Sequence, residues 1–321
     1  MTDAKTVIPP IAPEMPVPAT ENAASPSPRL TLSTYDALLL MLVGIWGTNF
    51  VVLKLATSLI PSPVFNTVRF VMGTISLGVL LLFSGQRFTL PRKEWGVVIY
   101  LSFISAVCYQ TLFLYALQYT TVANSSLINT AAPVLLVLTN ALRGKDRIGR
   151  GGVIGALLAF AGVGLVIITT HAGGFALSGQ SVIGDLAMLA AGCIWVWSVL
   201  ASKAPIERLP PLPFVFWHGV WICVFQAMLA LPSLSSFEWS RFEGRVWLMA
   251  FYAGVVAFSF GSLIWNRSIR NIGPSRTAIY INLQPIVSAV AGAILLGEPL
   301  TVILAVGTVM VLSGVALVKR G

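Results

Sequence analysis

From Asp36 onward the chain is a succession of long apolar runs of about 20 residues each, separated by short stretches that hold most of its charged residues, Pro and Gly. A run of that length crosses the hydrocarbon core of a bilayer as a helix. The strands of a membrane barrel would instead alternate apolar and polar over about ten residues. The pattern predicts ten helices, over Asp36–Ala56, Ser62–Phe83, Glu94–Leu117, Val122–Leu142, Arg150–Thr170, Gly184–Ala204, Leu212–Leu231, Gly244–Trp265, Pro274–Leu296 and Leu300–Val318. The beginning of the chain differs. Seven prolines between Pro9 and Pro28 lie among Ala, Ser and Glu, which predicts a disordered tail over residues 1–34 without the apolar core of a cleavable signal peptide.

Composition agrees with the pattern. Hydrophobic residues make up 56% and charged ones only 10%, and mean hydropathy is +0.86; a soluble domain is about a quarter charged. The expected fold class is therefore an all-α membrane protein with ten transmembrane helices. A net charge of +9 would suggest nucleic-acid binding in a soluble chain, but its distribution explains it differently. With the amino terminus inside, sixteen Lys and Arg fall in cytoplasmic segments, three (Lys54, Arg241, Arg245) fall outside, and Arg69 is left in the membrane. That bias predicts both termini in the cytoplasm, a multi-pass location in the inner (cytoplasmic) membrane, and no nucleic-acid partner. Cys108, Cys193 and Cys223 fall inside predicted helices without paired spacing and read as small buried residues.

The chain also repeats itself. "DALLLMLVGIWGTNFVVLK" from Asp36 lies over "DLAMLAAGCIWVWSVLASK" from Asp185, aligning Trp46 with Trp195 and Lys54 with Lys203; three residues of drift later Pro133 aligns with Pro285, Asp146 with Glu298 and Gly162 with Gly314. This divides the chain into two five-helix units, residues 35–171 and 182–319. Five spans per unit require the second to enter the bilayer upside down, and loop charges agree. The loop "RGKDRIGR" is basic where its counterpart "GEPLT" has no Lys or Arg, while "QYTT" is uncharged where "RSIRNIGPSR" has three arginines. Inverted repeats are a recurrent plan of secondary transporters, whose halves exchange conformations around a midplane site.

Two polar segments ending in proline, "SSLINTAAP" (Ser125–Pro133) and "TAIYINLQP" (Thr277–Pro285), fall in the equivalent fourth and ninth helices. Ser125 and Asn129 share one helical face, as do Tyr280 and Gln284. Proline at this depth frees a backbone carbonyl, which is tolerated against protein or a water-filled cavity. These stretches therefore either line a cavity or join helices by hydrogen bonds.

"GIWGTNFVVLK", Arg69, "YALQYTTVANSSLINTAAP" and "LLGEPLT" together resemble the EamA-type branch of the drug/metabolite transporter superfamily, as two repeats covering Asp36 to Val318. The resemblance implies ten helices, cytoplasmic termini, a central cavity formed by the first four helices of each half, and the fifth and tenth helices packed outside. It also implies export of small metabolites such as amino acids, without a cofactor. The first-half counterpart of the "GE" pair is Lys145-Asp146, a departure from the pattern. Glycines 151, 152, 155, 162 and 164 in the fifth helix, with 307 and 314 in the tenth, fit close helix packing and allow a homodimer through these helices.

Arg69 falls about seven residues into the second predicted helix. An arginine near the bilayer centre costs roughly 2.5–3.5 kcal/mol. It either meets a substrate carboxylate or freed carbonyls in a cavity, or is bonded to backbone or snorkels outward. His218 either carries a proton or makes a hydrogen-bonded helix contact; with every carboxylate near a helix end or in a loop, a proton relay has little support. Trp46 and Trp195 sit mid-helix, away from the interfacial belts. With Tyr109, Tyr115, Trp265 and Tyr280 they predict an aromatic pocket, to which Asn49, Asn66, Asn129, Asn266, Asn282 and Gln284 add polar groups. The expected substrate-binding set is Trp46, Asn49, Arg69, Tyr109, Ser125, Asn129, Trp195, His218, Asn266, Tyr280 and Gln284, with no catalytic or metal-binding residues. The reading is a carrier that exports amino acids, aromatic ones favoured, by alternating access. A channel would favour a continuous pore ringed by polar residues, and a membrane enzyme would need convergent nucleophiles or metal ligands.

Overall fold

The computed structural model describes residues 34–142, 149–169, 179–273, 277 and 280–320. The expected tail, the "RGKDRI" and "HAGGFALS" segments and residues 274–276 lie outside the described residues. Ten helices are found among those described: α1 Thr34–Leu59, α2 Ser62–Phe83, α3 Arg92–Tyr119, α4 Val122–Leu142, α5 Arg150–Thr169, α6 Gly179–Arg208, α7 Pro211–Leu234, α8 Gly244–Ile272, α9 Gln284–Leu296 and α10 Val302–Arg320. By length and composition α1, α2, α3, α6, α7 and α8 can each cross a bilayer, and α5, α9 and α10 are shorter apolar helices.

Local chemistry sets the boundaries. α2 follows Pro61 (φ −51°) with Pro63 in its first turn, and α7 follows Pro210 (φ −59°) with Pro211 in its first turn. A proline there has no missing donor to regret, because the first N–H groups of a helix are unpaired anyway, and its fixed φ starts the new helix within two residues of the last. α4 runs through Pro133 as one helix. The ninth helix departs from the expected Pro274–Leu296 span: Thr277, Tyr280 and Ile281 are helical, Asn282 and Leu283 form a turn, and α9 starts afresh at Gln284. Pro285 cannot donate to a carbonyl four residues back, so the chain breaks just before it.

Helices α3 and α8 each contain a π-helical stretch, Ile104–Gln110 and Tyr252–Phe260. The wider turn leaves carbonyls open to other donors. Gln226 donates to the Ala106 carbonyl at 2.7 Å and the Trp46 indole to the Ala257 carbonyl at 2.9 Å.

Contacts at the helix ends establish the inverted repeat. α1 carries Asp36 in its first turn, where the Tyr280 hydroxyl donates to the carboxylate at 2.6 Å, and runs toward Lys54, which donates to the Thr120 carbonyl at 2.7 Å. Thr120 in turn donates its hydroxyl to Asp185, near the start of α6, at 2.5 Å. The first helix of the second unit thus begins at the end of the molecule where the first helix of the first unit finishes. α5 and α10 pack on each other through glycine: a Cβ on Gly314 would lie 2.4 Å from the Gly155 carbonyl, and one on Gly162 would lie 2.9 Å from that of Gly307.

Candidate functional site

A cavity of about 210 Å³ lies between α1–α4 and α6–α9. Its lining follows the internal repeat. On α1 the lining positions are Trp46, Asn49, Phe50 and Leu53; on α6, 149 residues later, they are Trp195, Ser198, Val199 and Ser202. Both sets follow the i, i+3, i+4, i+7 spacing of one helical face. On α2 and α7 the same interval pairs Arg69 with His218. On α3 and α8, 152 residues apart, it pairs Leu101 with Ala253, Ser105 with Ala257, Gln110 with Ser262 and Phe113 with Trp265. The π-helical stretches contribute directly to this wall.

Arg69 is only 3% exposed. Its Nε donates to Asn66 Oδ1 at 2.6 Å and its Nη2 to Gln110 Oε1 at 2.7 Å, while Cζ lies 4.2 Å from the centre of the Phe70 ring. Two neutral amides and a π face hold the guanidinium, and no Asp or Glu is found among the described lining residues. Its fixed position depends on a close approach of α8: a Cβ on Gly254 would lie 2.0 Å from the Arg69 carbonyl oxygen. The guanidinium has further donors beyond these two bonds, in the planar geometry that suits a carboxylate.

Three tryptophans form the aromatic part. Trp265 stands between the repeat-related pair, with ring centres 5.6 Å from Trp46 and 5.9 Å from Trp195. Trp46 is anchored by its bond to the Ala257 carbonyl, and Gly261 leaves room for it, since a Cβ there would lie 2.5 Å from the indole nitrogen. His218 Nδ1 lies 2.9 Å from the Ser102 hydroxyl, and its ring stacks on Phe214 at 6.0 Å. The Oδ1 atoms of Asn49, Asn129 and Asn266 are buried without a hydrogen-bond partner. A buried carbonyl oxygen left unpaired costs about 1–3 kcal/mol, a cost that a donor from a bound solute would remove.

Trp46, Asn49, Arg69, Tyr109, Asn129, Trp195, His218, Asn266 and Gln284 from the expected set line this cavity. Ser125 is fully buried in α4 with an unpartnered hydroxyl and is not among the lining residues, and Tyr280 is bonded to Asp36 at the end of α1. Tyr115 is exposed on the outer surface of α3, where it packs on Tyr119. Asn66 acts through Arg69. Sequence reasoning did not single out Gln110, Ser102, Ser198 or Ser202. The signal for the two α6 serines was present, because the alignment that pairs Trp46 with Trp195 carries Asn49 onto Ser198 and Leu53 onto Ser202. Nothing in the sequence marks Gln110 or Ser102 as partners of Arg69 or His218, since those contacts depend on how α3 lies against α2 and α7.

Comparisons with known proteins agree with this architecture. The model of the EamA-like transporter family matches residues 34–168 and again 182–320. The chain is 26% identical over 288 residues to the uncharacterized transporter YyaM of Bacillus subtilis (strain 168), covering 83% of this chain and 92% of that one. It is 26% identical over 294 residues to the transporter YvbV of the same organism, covering 89% and 92%. A transporter of Archaeoglobus fulgidus is 28% identical over 293 residues, covering 88% and 85%. A solved crystal structure with 22% identity has a TM-score of 0.63 over 90% of this chain and 99% of that one, and so shares the fold.

Proposed function

The chain belongs to the EamA-like transporter family, and from that premise we propose that it exports small organic metabolites, amino acids or related carboxylates with aromatic ones favoured, by alternating access. It is a multi-pass membrane transporter, not an enzyme. The observation that carries the substrate reading is Arg69, buried at the cavity wall on two neutral amide oxygens with no acidic group among the described lining residues. An unbalanced guanidinium attracts an anionic group, and its fork favours a carboxylate. Trp46, Trp265 and Trp195 supply flat apolar faces for the body of such a solute.

In this reading the substrate-binding residues are Trp46, Asn49, Arg69, Tyr109, Asn129, Trp195, His218, Asn266 and Gln284, with Ser125 and Tyr280 acting behind the cavity wall. Loop charge supports a reading in which the Arg87, Arg92, Lys93, Arg208 and Arg267 end and both termini face the cytoplasm and the protein lies in the inner membrane. A homodimer through α5 and α10 would use their outward apolar faces, because their glycines meet each other inside the chain. The inverted repeat supports a carrier over a channel.

The test is counterflow in proteoliposomes with a panel of amino acids, with and without an imposed pH gradient. Saturable exchange of carboxylate-bearing, preferentially aromatic, solutes is expected. Non-saturating ion current, or transport indifferent to replacing the carboxylate by an amide, would overturn the proposal.

A further inference from the structure

We propose that Ser102 is a positioning residue that fixes His218 as a hydrogen-bond acceptor within the cavity, so that the site recognises an N–H group of its substrate as well as the acid group. The inference deepens the preceding reading and rests on it. Ser102 is fully buried on α3. Its Oγ lies 2.7 Å from the Val98 carbonyl, 3.2 Å from the His218 carbonyl and 2.9 Å from His218 Nδ1.

A hydroxyl has one proton to donate, and carbonyl oxygens can only accept. The short contact to Val98 takes that proton. The contact with the imidazole is then a hydrogen bond only if Nδ1 carries the hydrogen and donates it to Oγ. In a neutral imidazole one nitrogen donates and the other accepts, and the bond made by the first decides the role of the second. Nε2 therefore presents a lone pair. It has no partner among the described residues, and His218 lines the cavity. Stacking of the ring on Phe214, at an interplanar angle of 7°, holds its orientation.

The surroundings fit the same role. The unpartnered Oδ1 atoms of Asn49, Asn129 and Asn266 are also acceptors. The cavity therefore offers one cationic donor, Arg69, and several neutral acceptors, with no Asp or Glu among its described lining residues. An imidazolium at His218 would add a second positive charge without a counter-charge. The complementary solute carries a carboxylate for Arg69 and amine hydrogens for the neutral acceptors. Its ammonium is recognised by geometry and not by an opposing carboxylate.

Two measurements on the full-length protein test this. The chain has two histidines, His171 and His218, so ring-15N-histidine spectra at neutral pH hold two sets of signals, assigned by His218→Gln. The wild type is expected to show His218 as the Nδ1–H tautomer, Ser102→Ala to shift it toward Nε2–H, and Ser102→Thr to restore it. Quenching of the cavity tryptophans by phenylalanine and by 3-phenylpropionate, which lacks only the amine, gives the recognition arm. Phenylalanine is expected to bind about tenfold more tightly, a ratio that Ser102→Ala reduces toward one and Ser102→Thr preserves. An Nε2–H tautomer in the wild type, or an unchanged ratio in Ser102→Ala, would overturn the assignment. If neither compound binds, the substrate reading above fails, and the tautomer spectrum still decides the role of Ser102.

Discussion

Arg69 and His218 stand at the same position of the two repeats, 149 residues apart, and both line the one cavity. Each is held by a side chain of α3, Arg69 by Gln110 and His218 by Ser102. The repeat presents one place in the wall twice, and in the proposed reading the two positions hold complementary chemistry, a donor at Arg69 and an acceptor at His218.

Replacing Arg69 separates a binding role from a structural one. Arg69→Gln is expected to abolish counterflow of carboxylate-bearing solutes while the protein still reaches the membrane and purifies as a single species. Arg69→Lys should lose at least about tenfold in apparent affinity, because an ammonium cannot bond Asn66 and Gln110 and still present a fork. Normal transport by either variant would remove Arg69 from the binding machinery.

The two repeat-related tryptophans should behave differently. Trp46→Phe leaves the Ala257 carbonyl without its donor and is expected to cost about 1–2 kcal/mol of stability. The Trp195 indole nitrogen has no partner among the described residues, so Trp195→Phe should leave the unfolding midpoint in place and change only ligand affinity. Equal midpoints for the two variants would contradict the assigned bond.

How much of this was legible beforehand depends on the range of the interactions. The helix spans followed from hydropathy, because the length of an apolar run is local; Pro61, Pro63, Pro210 and Pro211, which set two of the helix starts, act within a few residues of chain but were not used. The inverted repeat followed from loop charge. Pro285 carried a signal as well, yet the apolar run continues across it, and the break at Asn282–Leu283 was missed. The cavity itself was only partly readable. Ser125 and Asn129 share a helical face in sequence, but α4 packs so that Asn129 reaches the cavity while Ser125 does not. Gln110 and Ser102 became meaningful only once α3 was seen against α2 and α7.

Glu298 tests the join at the far end of α1. It pairs with Lys54 at 2.9 Å and accepts the Val122 N–H with both oxygens at 3.0 Å, capping α4. Glu298→Leu is expected to lower stability by about 1–3 kcal/mol, and Glu298→Gln by less, since its amide oxygen still caps. The double exchange Lys54→Glu with Glu298→Lys restores opposite charges but leaves Val122 without an acceptor. Its unfolding midpoint should stay below wild type; full recovery would show that only the charge pair matters.

Gly254 should tolerate no side chain. A methyl group would lie 2.0 Å from the Arg69 carbonyl, a backbone atom that cannot swing away, so Gly254→Ala is expected to cost several kcal/mol or prevent folding. At Gly44 an added Cβ meets nothing within 4 Å, and Gly44→Ala serves as the matched control in the same thermal-unfolding assay.

The π-helical turns in α3 and α8 have a further consequence. An α-helix advances about 100° per residue, so a turn that accommodates one extra residue retards the phase of everything after it by roughly that angle. Gln110 and Phe113, like Ser262 and Trp265, face inward on this delayed register. Deleting a single residue from Ile104–Gln110 or Tyr252–Phe260 is expected to leave a regular helix whose later side chains are turned by roughly 100° from the cavity.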